Sequence, residues 1–346
     1  MKRRSLAVAG LGSFTQRVLL PGLLACERVR VDAAFTQSHA RAAEMQAQYP
    51  DLRIFTNFAR MLDVAQPEIV FVGTPNAAHV PMSIEAARRG CHVICEKPLA
   101  PTLQGAEAMA AAAKAAAIRT AVNFTFRSIG AARYAKHVLD EGRVGRVTHV
   151  ALLYLQDIRH GADRPKVWRM DADIAGAGAL GDVGSHAIDL VRWWCGDFAA
   201  VCGRSFTHNV EREGGAATND DTAIFLAQLT SGLPVTLHIS QAAAGRSNSL
   251  RVEVYGEEGG LVFTTERGTE PSVQFARPGE IGFTPLPIPE EFTVAYEAFP
   301  AYCAGRLVDT ILGTDSVADF ADGLAAQRVI DAVERAADGN AWIPLK

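Results

Sequence analysis

The sequence predicts an α/β chain. A parallel sheet covered on both faces is expected over residues 1–122, and an α+β domain on a mostly antiparallel sheet over residues 123–346. Three observations carry this. Short apolar runs alternate with helical patterns through the first part of the chain. After about residue 146, strand patterns follow one another with little helix between them. The chain then closes on a helix-rich tail. Strand–helix alternation is the pattern of a parallel sheet, and 346 residues suffice for two ordinary domains.

In the first domain the strands read as residues 6–9, 29–35, 69–72, 92–95 and 119–123. Helical patterns fill 16–27, 39–48, 58–64, 81–89 and 103–117, the last rich in alanine. In the second, 147–158, 222–229, 234–240, 250–256 and 261–265 read as strands. Ser231-Gly232 is a turn signal, and Glu257-Glu258-Gly259-Gly260 predicts a hairpin. One helical pattern, 185–194, interrupts this series, and 301–312 and 316–337 form the tail. The boundary near 122 rests on pattern alone.

Composition narrows the function classes. With 49% hydrophobic and 21% charged residues the chain reads as a soluble globular protein, and a net charge of −4 offers no footprint for nucleic acid or an anionic membrane. No apolar run approaches the roughly 18 residues that span a bilayer. The basic start runs straight into a first strand and a glycine turn, unlike a signal peptide. Six scattered cysteines, at 26, 91, 95, 195, 202 and 303, form no C-x-x-C pair. They read as buried thiols in a reducing, cytoplasmic compartment, with no metal site expected.

The first functional signal follows the first strand, where Gly10, Leu11, Gly12, Ser13, Phe14 and Thr15 read as a tight turn into a helix. Gly10 permits the turn, and Gly12 lets backbone approach a pyrophosphate at the helix N-terminus. Thr15 stands where G-x-G-x-x-G has its third glycine. The second strand then ends in Phe35, Thr36, Gln37 and Ser38, without the carboxylate that binds the ribose 2′-hydroxyl of NAD. Thr36, Gln37 and Ser38 offer hydrogen bonds to a 2′-phosphate, and Arg41 offers charge. NADP is therefore expected over NAD; the competing reading leaves Arg41 in solvent.

Two clusters carry proton chemistry. Glu96-Lys97-Pro98 ends the fourth strand, where a lysine can hold or move a proton beside a cofactor. Pro98 stops the strand and permits a cis bond. Taken alone, such a lysine is most often a solvated charge. Downstream, Asp182 and His186 sit among glycines and alanines, four residues apart. They share one helix face, or Asp182 caps the helix that carries His186. Both placements bring a carboxylate near an imidazole that titrates near neutrality, which suits acid–base work on a hydroxyl or carbonyl. A capped helix with a structural histidine is the plainer alternative.

Together, Gly10-x-Gly12, Thr74-Pro75-Asn76 with His79, Glu96-Lys97-Pro98, Trp168-Arg169 and the Asp182…His186 segment resemble the Gfo/Idh/MocA oxidoreductases in order and spacing. The resemblance is dense to about residue 190 and weak beyond. It implies an N-terminal Rossmann domain, and a C-terminal α+β domain with an open, mostly antiparallel sheet that binds substrate and makes subunit contacts. It implies hydride transfer between nicotinamide C4 and a hydroxyl or carbonyl carbon of a sugar, cyclitol or related polyol. Lys97 would bind the reacting oxygen, His186 would exchange the proton, and Asp182 would orient it or bind a neighbouring hydroxyl. Thr74, Pro75, Asn76, His79 and Glu96 would line the cofactor. Trp168 and Arg169 would edge the substrate, with Asn123 and Arg127 as further lining. A homodimer or homotetramer is implied. Two other readings share these residues: a glycosidase that oxidises transiently and regenerates its cofactor, and a non-catalytic NADP-binding regulator.

Overall fold

A computed structural model describes residues 3–339 and 341–345. Its contacts divide the chain into two units, residues 1–128 with 294–324, and residues 129–293 with 325–346.

Six strands form the sheet of the first unit: β1 (Arg4–Ala9), β2 (Val29–Phe35), β3 (Arg53–Phe55), β4 (Ile69–Val72), β5 (His92–Cys95) and β6 (Thr120–Val122). Their order is β3-β2-β1-β4-β5-β6, and every pairing is parallel. Strand order reverses direction at β1/β4, the place where such sheets receive ligands. Val72, Cys95 and Val122 lie in one register row with Ala9 and Phe35. The residues after them therefore leave the sheet along one edge.

Helices His39–Gln48, Phe58–Ala65, His79–Arg88 and Leu103–Ala115 connect the strands. Ser38, Asn57 and Thr102 cap three of them by accepting a backbone N–H, worth about 1 kcal/mol each. The first connection departs from the expected helix 16–27. It opens with π-helical turns, Thr15–Leu19, and continues as Leu20–Ala25. The Leu20 N–H reaches back to Thr15 O just before Pro21, which has no N–H to give.

Pattern alone placed all of 123–346 in one second domain. The helix Phe299–Leu312 instead returns to the first unit, where Ala304, Leu307, Val308 and Ile311 are buried in one core with Leu6, Leu20 and Leu23. A side chain at Gly22 would overlap the Pro300 carbonyl, so the two helices meet backbone to backbone.

Nine strands build the second sheet: β7 (Val147–Gln156), β8 (Phe198–Phe206), β9 (Thr222–Leu229), β10 (Pro234–Ser240), β11 (Ser247–Gly256), β12 (Gly260–Thr265), β13 (Ser272–Ala276), β14 (Thr284–Leu286) and β15 (Ile343–Pro344). Their order is β14-β13-β12-β11-β7-β10-β9-β8-β15, and only β7–β10 is parallel. The expected hairpin joins β11 to β12. Helix Gly184–Cys195, buried along most of its length, sets Trp194 edge-on against Phe263 of β12. The sequence reading missed β3, β8, β13, β14, β15 and helix Gly130–Asp140. Among the described residues no helix is long and apolar enough to cross a membrane.

Candidate active site

In the first unit, the shared register row delivers Thr36, Gly10, Gly73, Glu96 and Asn123 to the same sheet edge. These loops are tied to one another. Gly10 N donates to Phe35 O at 2.9 Å and Gly73 N to Ala9 O at 2.7 Å. Gly10 has φ +96°, and a Cβ there would lie 2.5 Å from Gly73 O. A Cβ on Gly73 would in turn lie 2.8 Å from Thr15 Oγ1. Thr15 thus stands at the third-glycine position because the facing loop supplies the missing volume. Gly12 is different: nothing lies within 4 Å of its Cβ position. That open cradle beside Ser13 and Phe14 at the helix start fits the pyrophosphate of a dinucleotide.

His79 joins two further loops. Its ring is fully buried, with Nε2 2.9 Å from Thr74 O and Nδ1 3.1 Å from Pro98 O. Burial lowers its pKa, against the two carbonyls that favour the charged form. His79 therefore binds the Thr74-Pro75-Asn76 loop to the Glu96-Lys97-Pro98 loop from behind and presents no surface to a ligand. The Lys97–Pro98 bond is cis, and Glu96 and Lys97 are half-buried. Asn123 Nδ2 donates to Glu96 Oε1 at 2.7 Å. Arg127 is drawn inward to the Val317 carbonyl and to Asp322, 3.2 Å away, so it braces the strand-end loops.

The 2′-phosphate set is only partly poised. Thr36 is nearly buried, while Gln37 and Ser38 are exposed. Ser38 Oγ accepts from Arg41 N at 3.2 Å as a helix cap. The Arg41 guanidinium pairs with Glu44 at 2.9 Å.

In the second unit, Asp182 and His186 are carried differently from either expected arrangement. Asp182 ends a separate short helix, Ala179–Asp182, and Val183 separates it from the helix Gly184–Cys195 that holds His186. Asp220 organises that start: its carboxylate accepts from Gly178 N at 2.6 Å and Leu180 N at 2.8 Å. Burial pushes the Asp220 pKa up, and the two amides and Arg159 pull it back. A side chain at Gly178 would overlap the Asp220 carbonyl.

Asp182 is half-buried, and His186 is 7% exposed. The Asp182 carboxylate accepts from Gln241 Nε2 at 2.8 Å and lies 3.8 Å from Arg169 Nε. Arg169 stacks over Trp168, 4.4 Å from its ring centre, so the guanidinium that faces Asp182 is backed by the indole. Arg159 is buried behind them, donating to Asn219 Oδ1 and Asp220 O at 2.9 Å each and to the Arg169 carbonyl. Asp220 and Gln241 escaped the sequence reading. Each lies far along the chain from Asp182, and no local pattern marks a buried polar partner.

Two family models match. One, described as an oxidoreductase family with an NAD-binding Rossmann fold, covers residues 4–124. The other, a GFO/IDH/MocA C-terminal domain, covers residues 132–262. Levoglucosan dehydrogenase of Pseudarthrobacter phenanthrenivorans is 30% identical, over 88% of this chain and 86% of that protein. A 1,5-anhydro-D-fructose reductase of Ensifer adhaerens is 29% identical over 80% of each. A levoglucosan dehydrogenase structure in complex with NADH and levoglucosan superposes with TM-score 0.90 at 26% identity, covering 99% of this chain and 100% of that one.

Proposed function

This chain belongs to the Gfo/Idh/MocA oxidoreductase family, and on that premise we propose that it oxidises or reduces a CH–OH or carbonyl carbon of a sugar, cyclitol or related polyol. It is an NAD(P)-binding oxidoreductase with a Rossmann domain. The observation that carries the proposal is the single register row that gathers the glycine turn, the Thr74 loop and the lysine at one sheet edge, beside the open cradle of Gly12. Relatives named for anhydro-sugars support the substrate class.

When bound, the nicotinamide accepts or gives the hydride. Gly10, Gly12 and the helix start would hold the pyrophosphate, and Thr74, Pro75, Asn76 and Glu96 would line the ribose and ring. Lys97 would bind the reacting oxygen and polarise a carbonyl, and His186 would give or take the proton. Asp182, with Trp168 and Arg169 beside it, would orient the imidazole or hold a neighbouring hydroxyl. Asn123 would set the Glu96 carboxylate. His79 and Arg127 would act through the loops they brace.

We propose NADP as the preferred cofactor, because no carboxylate ends β2 to repel a 2′-phosphate. Arg41 would have to leave Glu44 to add its charge, so the preference is modest. A panel of sugars, cyclitols and their keto forms, followed by NAD(P)H absorbance with each cofactor, tests both statements. No turnover on any polyol ends the first, and a strong NAD preference ends the second.

We also propose a homodimer or homotetramer formed through the second sheet. Ile224 and Leu226 of β9 and Leu153 of β7 are 49%, 50% and 36% exposed. Ile224 lies across from His238, and His238 across from Leu153, so the three share one apolar face. Light scattering of the protein and of Leu226→Lys reads the outcome; a monomeric wild type overturns it.

A further inference from the structure

Gln241 follows β10 and is 0% exposed. Its Nε2 donates to Asp182 Oδ2 at 2.8 Å and to Gln156 Oε1 at 3.1 Å. Both partners are acceptors, so the nitrogen end of the amide must face them. Its Oε1 is buried without a partner among the described residues, so the donor end fixes the group. The amide is further constrained at two removes. Gln156 Nε2 donates to Asn248 Oδ1 at 2.6 Å, and the Tyr154 hydroxyl donates to the same oxygen at 2.7 Å. Gln241 is also pinned by its backbone, giving N–H to Asp221 O at 2.8 Å and accepting from Arg159 N at 2.7 Å. The chain Asn248–Gln156–Gln241 thus brings a neutral donor to a carboxylate from within the protein. A charge-assisted bond of that kind stabilises the ionised form and restricts its rotation.

We infer that Gln241 is a positioning residue: it holds Asp182 as an aimed anion, with Gln156 and Asn248 setting which end of its amide does so. The inference rests on the oxidoreductase reading in which Asp182 serves His186 or a substrate hydroxyl. Arg169 and Arg159 also face this carboxylate and favour its charge, Tyr154 lies within electrostatic range, and His186 stands four residues along the chain. Gln241 differs from both arginines in being uncharged, and from the exposed Arg169 in being buried, so salt screens its contribution less than that of Arg169.

The test uses the full-length holoenzyme with NADP, comparing wild type, Gln241→Leu and Gln156→Leu. Asp182 is followed by carboxyl-¹³C NMR and assigned with Asp182→Asn. Gln241→Leu is expected to raise the midpoint of the Asp182 titration by about one pH unit. It should move the acid limb of kcat/KM in the same direction and lower kcat roughly 10- to 100-fold, with the cofactor Kd unchanged. Gln156→Leu, one hydrogen bond further from Asp182, should do the same to a smaller degree. An unmoved titration in natively melting variants overturns the inference even where sugar turnover is strong. If Gln241→Leu fails to fold, Gln156→Leu decides. If wild type turns over no polyol, the functional reading falls, and the NMR titration still decides whether Gln241 holds Asp182.

Discussion

The two units solve the same problem, placing reactive side chains, by opposite means. In the first, β4 is buried at all four positions and β1 and β5 nearly so, because helices cover both faces of a parallel sheet. Its functional residues are the ones that follow each strand, so the sheet register aligns them and His79 and Arg127 only brace the loops. In the second, β9 and β10 alternate between buried and exposed positions, and Asp182 and His186 come from two successive helices outside the sheet. What holds the Asp182 segment is a set of buried polar groups, Asp220, Arg159 and Gln241. A register is a property of strands and survives many substitutions. A polar network depends on each member and fails where one is lost.

The largest test of this contrast is at the proton-handling groups. Lys97→Ala and His186→Ala should each lower kcat by roughly 10²–10⁴-fold if both do acid–base work. Wild-type turnover in either variant would remove that unit from the chemistry. Next come the glycines. Gly10→Ala forces a left-handed φ and an overlap with Gly73 O, and should cost about 2–4 kcal/mol in denaturant unfolding. Gly12→Ala meets no protein atom. It should leave stability within about 1 kcal/mol yet weaken dinucleotide binding about tenfold. Unaltered dinucleotide affinity in Gly12→Ala would mean the cradle at Gly12 is not a ligand site.

In the second unit, Asp220→Ala leaves Gly178 N and Leu180 N without their acceptor. A loss of about 1–3 kcal/mol is expected, with kcat falling because the Ala179–Asp182 helix loosens. A drop in stability with unaltered kcat would show that Asp182 does not depend on its cap.

The smallest effect is at His79, whose folded-state pKa is lowered from 6.5 by burial. The neutral form is the native one, so the unfolded chain takes up the proton first as pH falls. Its contribution is therefore present above about pH 6.5 and lost as pH drops toward the folded pKa, by at most about 1.4 kcal/mol per pH unit. His92 and His238 are lowered too, so the measurement is the difference between wild type and His79→Gln in thermal unfolding from pH 7 to pH 5. Parallel curves would place the titration elsewhere.

The strands of the first unit were legible because a strand buried on both faces must be a continuous apolar run, and because Gly10, Gly12 and Lys97 sit directly after such runs. The antiparallel character of the second sheet was legible from strands without helices between them. The three-residue β3, and β8 with its glycine, arginine and serine in the second half, gave no such pattern. Helix Phe299–Leu312 was visible as a helix, but its place in the first unit was not, since an apolar stripe does not name the surface that covers it. The Asp182–His186 pair was visible as a spacing, yet the break at Val183 was not. The roles of His79 and Arg127 as internal braces, and of Asp220, Arg159 and Gln241 as supports, were decided only in three dimensions. Local sequence records propensity and periodicity, which set elements and strand ends. A buried polar group is defined by partners tens of residues away, and only the folded chain brings those partners within hydrogen-bond reach.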